Sequence, residues 1–334
     1  MRQFFILLSC AVSAAASAAP SVPSYSVSGS IAGPDGSWDY ARVDAQTHRL
    51  YVARSGSVTV ADLSAGGRVA SWGELSRGHA VLPLPGNRLL VTSGNDATVR
   101  FFDTTTGKQI ASIAVGKKPD AAIYDVPRHR AFVMNADGGT VSVVDTQAMK
   151  VTSTIMVKPA LEYAALAKDG TLFVNDEDAN EVEVIDVAKG RAVKSIAMPG
   201  CEGPTGMGYD PKHGRLIAAC ANGKAAIIDV ASRALVNLVD IGKGADAVIM
   251  DDARRLAFIP CGRDGVLDIL SLDSPGGVAR VARVTTEAGA RTGAIDPSTG
   301  AIYLPTAKFG PPATAGGRPV MMPGSFHILV VSPA

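Results

Sequence analysis

The sequence predicts an all-β fold, a seven-bladed β-propeller whose last blade is closed by an N-terminal strand. Three observations predict it. A short segment recurs seven times at intervals of 40 to 45 residues, β-branched runs are cut by Gly, Asn, Asp and Pro, and the last copy is one strand short while one unpartnered strand precedes the first.

The recurring segment runs Asp39–Asp44, His79–Leu84, Asp120–Asp125, Glu162–Ala167, Thr205–Asp210, Asp246–Asp251 and Arg291–Asp296. An interval in the low forties is one four-stranded blade per copy. Blade starts are therefore expected near 39, 79, 120, 162, 205, 246 and 291.

Each copy repeats one grammar. The first strand ends in a turn, as in Asp210-Pro-Lys-His-Gly214, and a second strand follows at Arg49–Val52, Arg88–Val91, Arg130–Val133, Thr171–Val174 and Arg215–Ala218. A polar hairpin then leads to a third strand that ends in Asp: Val58–Asp62, Val99–Asp103, Val141–Asp145 and Val182–Asp186. A fourth alternating strand closes the unit, as in Val151–Val157. The seventh copy has only three strands, Arg291–Asp296, Ala301–Leu304 and Phe326–Val331. Tyr25–Ile31 precedes the first copy without a partner and is expected to supply the fourth, which removes two exposed edges.

Residues 1–18 read as a secretory signal peptide. Arg2 gives a positive start, Phe4–Val12 an apolar run too short to span a bilayer, and Ala16-Ser-Ala18 a small-residue cleavage site. Residues 19–334 then form one propeller domain, periplasmic or secreted. A competing reading takes Leu7-Leu-Ser-Cys10 as a lipoprotein box. The charge balance, 32 Lys and Arg against 31 Asp and Glu, contains no basic run, which argues against general nucleic-acid binding. No later stretch is long and apolar enough for a transmembrane segment.

Beyond the repeat, Trp38-Asp-Tyr40, Lys118-Pro-Asp120, Cys201-Glu-Gly-Pro-Thr-Gly206, Gly289-Ala-Arg-Thr292 and Pro323-Gly-Ser-Phe326 carry a resemblance. From about Trp38 to the C-terminus the chain resembles the YncE-like propellers with YVTN repeats. It departs from the eponymous motif with Leu50-Tyr-Val-Ala-Arg54 and Phe132-Val-Met-Asn135. The resemblance implies a secreted or periplasmic bacterial propeller and leaves the activity open.

First strands line the channel of a propeller, so the leading residues should converge at one mouth: Asp39, His79, Asp120, Glu162, Thr205, Asp246 and Arg291. All are polar and they differ between copies, whereas packing positions repeat. This points to an asymmetric ligand, with Tyr40 and Glu202 beside the ring. A divalent metal would take Asp39, His79, Asp120 and Glu162. A small polar ligand would place a carboxylate on Arg291 and its hydroxyl or amino groups on the acids. Crowded carboxylates would also raise one another's pKa and offer an acid or base. Alternatively the ring groups pair only with one another and with channel water.

In an oxidising compartment Cys201 and Cys220 are the expected disulfide, which leaves Cys261 free, the alternative being a pairing that includes Cys261. Residues 308–324, rich in Pro and Gly, lengthen a hairpin of blade seven and form a surface loop, either a lid over the mouth or a plain extension. Asp176-Glu-Asp-Ala-Asn180 imitates an EF-hand opening, but Glu181 stands where Gly is required, so it reads as a hairpin turn. His48, His129 and His213 read as solvated turn residues at the opposite mouth. No nucleotide or quinone motif is present, and the chain is expected to be a monomer. The expected function is a binding or scaffolding propeller that takes a small ligand, metal ion or protein segment at the charged mouth. The alternative is a metal-assisted hydrolase of the lactonase type using the same mouth.

Overall fold

The computed structural model of the chain describes residues 23–312, 314 and 319–334. The signal-peptide and lipoprotein expectations lie outside these residues. Seven antiparallel sheets follow one another around a central channel, six of four strands and the fourth with its outer strand split into Arg191–Ala192 and Ile196–Ala197, with no α-helix among the described residues. Blade one shows the pattern, with strands Trp38–Asp44, Arg49–Arg54, Val58–Asp62 and Arg68–Trp72 running from the channel outward. Blade seven is completed as expected: Tyr25–Ala32 lies antiparallel to His327–Pro333, with Val27 opposite Val331 and Ile31 opposite Ile328. Tyr25 then packs edge-on against Phe258 of blade six, their centroids 5.0 Å apart.

The repeating residues explain the repeating structure. The aspartates that end the third strands fold back on the next turn. Asp62 Oδ1 accepts from the Ser64 and Ala65 N–H groups, Asp103 Oδ1 from Thr105 and Thr106, and Asp145 Oδ1 from Gln147 and Ala148. The arginine that opens a second strand can reach the next blade: Arg88 Nη1 donates to the Thr146 carbonyl at 2.6 Å, and Arg49 makes the equivalent contact with Thr104. Large side chains, among them Tyr51, Phe101, Phe132, Phe173 and Phe258, are fully buried. Each contributes roughly 1.5–3 kcal/mol of hydrophobic stabilisation.

One feature of the inner strands positions the site. In blades one to five the ladder loses register just inside its start, between Trp38 and Ala41, Gly78 and Val81, Pro119 and Ala122, Leu161 and Ala164, and Pro204 and Met207. These strands begin one residue before the positions read from sequence. Blades six and seven differ: their inner strands shrink to Ile249–Asp251 and Ala294–Ile295, so Asp246 and Arg291 precede them. Both blades place a proline, Pro260 or Pro305, in the facing stretch of the second strand, and proline has no N–H to give the ladder.

Candidate functional site

The bulges build the channel mouth. A regular strand would send neighbouring residues to opposite faces, but the unpaired residues Asp39 and Tyr40, and likewise Glu162 and Tyr163, both turn toward the axis. The backbone freed by the bulges is stitched by the adjoining blades. The Thr92 hydroxyl accepts from Ala80 N–H and donates to the Asp120 carbonyl, both at 2.8 Å. Asn175 Nδ2 donates to the carbonyls of Thr205 and Gly206, and Thr292 Oγ1 to that of Asp39. Thr205, read as a ligand group, instead gives its hydroxyl to the Ala245 carbonyl at 3.1 Å, so its side chain holds two blades together.

Asp39, His79 and Asp120 form the core of the mouth. His79 Nδ1 lies 2.7 Å from Asp39 Oδ2 and 3.6 Å from Asp120 Oδ2. The other ring nitrogen, Nε2, is buried without a partner among the described residues. It rests on Gly94, where an added Cβ would stand 2.9 Å away, so the glycine makes room for the ring. Burial disfavours the charged imidazole, yet the Asp39 hydrogen bond and the Asp120 and Asp39 charges outweigh it and raise the pKa. Burial, reinforced by Asp39, pushes the Asp120 carboxyl up to about 7. Burial and the Asp120 and Asp246 charges raise Glu162 well above the carboxylate range. Asp246 is raised by burial despite Arg291.

The remaining wall is basic. Arg291 Nε donates to Asp246 Oδ2 at 2.8 Å and Nη2 to the Trp38 carbonyl at 3.1 Å, with the guanidinium over the Trp38 ring. A cleft of about 650 Å³ opens here, lined by Asp39, His79 and Arg291 together with Arg77, Arg263 and Phe309. Pro319 and Met321 of the 308–324 hairpin also line it, and Val320–Met321 pairs with Phe309–Gly310. The paired arms of this hairpin, through Phe309, Pro319 and Met321, therefore form one wall of the cleft.

The donor atoms of Asp39, His79 and Asp120 all lie within 4.8 Å of one another, a spacing that one divalent ion could bridge through Nδ1 and two carboxylate oxygens. Glu162 stands outside this trio and acts on it through charge. Glu202 is exposed on the loop before blade five; its backbone N–H goes to Asn222 Oδ1 at 3.3 Å. Glu177 acts on the ring instead, its charge raising the pKa of both Glu162 and Asp246. It sits in the hairpin that imitates an EF-hand, and its distance in sequence from any blade start hid it. Arg54 was also missed: buried, it donates to the carbonyls of Pro34, Gly36 and Ser37 and fixes the approach to blade one. A second acid group, Asp176, Glu181 and Glu183, is already closed by the Lys158 ammonium, 2.8 Å from Glu183.

Cys201 and Cys220 are joined by a disulfide that ties the loop before blade five to its second strand. Cys261 is free and buried. No helix of the described residues is long and apolar enough to cross a membrane. His213, in the turn after the first strand of blade five, is not simply solvated: its Nδ1 lies 2.7 Å from Asp210 Oδ2, in a group that includes Arg255.

Known proteins share this architecture. No family model matches the chain. The uncharacterized protein YncE of Salmonella typhi is 27% identical over 141 residues, which is 40% of this chain and 40% of that relative's length. Among solved structures, a chain of Kuenenia stuttgartiensis hydrazine synthase superposes with a TM-score of 0.70 at 18% identity, over 79% of this chain and 91% of its own. A chain of a mitotic checkpoint complex gives 0.73 at 15% identity, over 99% and 98%. At these identities the structural likeness is one of fold. The YncE match and the seven blades together fit a YncE-like propeller family.

Proposed function

We propose that the protein is a secreted or periplasmic binding propeller whose charged mouth holds a small polar ligand carrying positive charge, a metal ion or an amine. The observation that carries this reading is the cluster at the mouth of one buried carboxyl, Asp120, and two half-buried ones, Glu162 and Asp246, whose pKa values are all raised. Their pKa values are raised because desolvation disfavours the charged form and the neighbouring acids repel it, and a cation that enters takes the protons' place. Arg77, Arg263 and Arg291 on the opposite wall suit a ligand that also bears a carboxylate. The disulfide fits an oxidising compartment.

The test is isothermal titration of the purified protein with Zn²⁺, Mn²⁺, Ca²⁺ and lysine at pH 6 and pH 8, alongside native mass spectrometry. Saturable binding that tightens at pH 8 and is lost in Asp120→Asn and Glu162→Gln supports the reading. Absence of saturable binding by any of them refutes it and moves the function to a protein partner. The convergence of Asp39, His79 and Asp120 favours one second reading, a metal-assisted hydrolase, since a bound ion there would activate water. Metal-dependent turnover of a γ-lactone, abolished in His79→Ala, would establish it.

A further inference from the structure

The channel has a second funnel, at the far end of the inner strands from the acidic mouth. It encloses about 460 Å³, within the range of small-molecule sites, and its walls come from inner-strand residues such as Leu166, Met207, Val248, Met250 and Ile295. Arg42 is the one charged residue of the lining. Among the described residues its guanidinium makes a single hydrogen bond, Nη1 to the Ala41 carbonyl at 3.3 Å, and no salt bridge. It lies over the Tyr163 ring, 5.4 Å from the centroid, and the Tyr163 hydroxyl is itself buried without a partner among the described residues.

The aspartates on the rim do not answer Arg42. Asp125 pairs with Arg130, Asp210 with Arg255, Asp251 with Arg254, and Asp44 and Asp296 bond their own turns. The acids of the other mouth lie beyond Tyr40, which packs against Tyr163 and stands between them and Arg42. Burial accordingly lowers the Arg42 pKa, and no carboxylate raises it. Arg42, half-buried over an aromatic ring and with no carboxylate paired to it among the described residues, leaves its guanidinium fork open to an incoming anion.

We infer that this funnel binds a small organic monocarboxylate, its carboxylate on Arg42 and its apolar body against the Met207, Val248 and Met250 wall. The acidic mouth and this funnel then take ligands of opposite charge at the two ends of one channel. Arg fits this role because its fork can donate two hydrogen bonds to a carboxylate.

The experiment titrates the intact protein, its methionine methyls ¹³C-labelled, with hexanoate, hexanamide and hexylamine. Met207 and Met250 report on this funnel and Met321 on the cleft at the other mouth. Hexanoate should shift Met207 and Met250, with Met321 unmoved, and bind at least tenfold tighter than hexanamide or hexylamine. Arg42→Gln should abolish that preference, whereas Arg291→Gln should retain it. The neutral and cationic probes on the unaltered protein decide the matter even if Arg42→Gln fails to fold. Equal binding of all three probes, no shift of Met207 and Met250, or loss of the preference in Arg291→Gln would overturn the assignment.

Discussion

Tyr40 of blade one and Tyr163 of blade four meet across the channel, their ring centroids 5.0 Å apart. Two blades lie between them on one side of the ring and three on the other, so the contact spans the axis and divides the channel into an acidic mouth and an apolar funnel. Four acids, Glu162, Asp246, Asp120 and Asp39, act on the Tyr40 phenol, which burial already holds well above its ordinary pKa. The phenol therefore stays neutral and serves as a plug rather than a base.

Removing the plug should cost more than altering its polar edge. Tyr40→Ala leaves a cavity on the axis and should destabilise the fold by about 3–5 kcal/mol, as for other buried aromatic truncations. Tyr163→Phe deletes a buried hydroxyl that has no partner among the described residues, and in the unliganded protein should be neutral or slightly stabilising. Equilibrium denaturant unfolding of both variants measures the contrast.

The raised carboxyls make stability depend on pH in a definite direction. Asp120, Glu162 and Asp246 hold protons in the folded chain at pH values where the unfolded chain, with carboxyl pKa values of about 4, has released them. The folded state thus binds more protons, and stability falls as pH rises through the folded values, which for Asp120 is about 7. His79, also raised, acts with the same sign. The denaturant midpoint should drop between pH 5.5 and pH 8, and Asp120→Asn should flatten the slope. Carboxyls lowered by their partners, such as Asp210 and Asp273, titrate below this window and do not mask it.

Arg291 and Asp246 should behave as a coupled pair. Arg291→Gln alone leaves Asp246 without its 2.8 Å partner, and its pKa should rise further. Because both side chains retain some solvent contact, the loss should be about 1–2 kcal/mol, below that of a fully buried pair. Adding Asp246→Asn should recover most of it, and a double-mutant cycle followed by thermal unfolding reads the coupling.

How much of this was legible in the sequence depends on the kind of signal. The blades were, because each solves the same packing problem and leaves the same residues at the same interval. The closing strand Tyr25–Ala32 was readable from the third-strand count of the last copy. The bulges were not, since a register shift leaves the residue order unchanged while deciding that Tyr40 as well as Asp39 faces the axis. The blade starts name Asp39, His79, Asp120, Glu162, Asp246 and Arg291, which lie close enough to act on one another's charge. The same reading assigns Thr205 a ligand role although its hydroxyl bridges two blades, and it places Glu202 in the site where Glu177 exerts its charge. Arg42 escaped notice because an arginine inside a strand looks like an ordinary outward-facing residue until the channel is closed around it.

The cysteines allow a last prediction that separates packing from chemistry. The Cys201–Cys220 bond closes a short loop, with a sequence separation of 19, and loops of this size gain about 3 kcal/mol from the constraint on the unfolded chain. Cys201→Ser combined with Cys220→Ser should therefore lower stability by about that amount while leaving the blades intact. Cys261 should behave differently. It is buried, its thiol is pushed up to about 12 by burial and by Asp268, and a thiol in that state offers almost no thiolate near neutrality. A thiol-specific reagent should leave Cys261 unmodified in the folded protein and react with it only on unfolding, as read by mass spectrometry of the peptide. Rapid modification under native conditions would show that blade six opens locally, which the tight packing of Gly242 on Cys261 argues against.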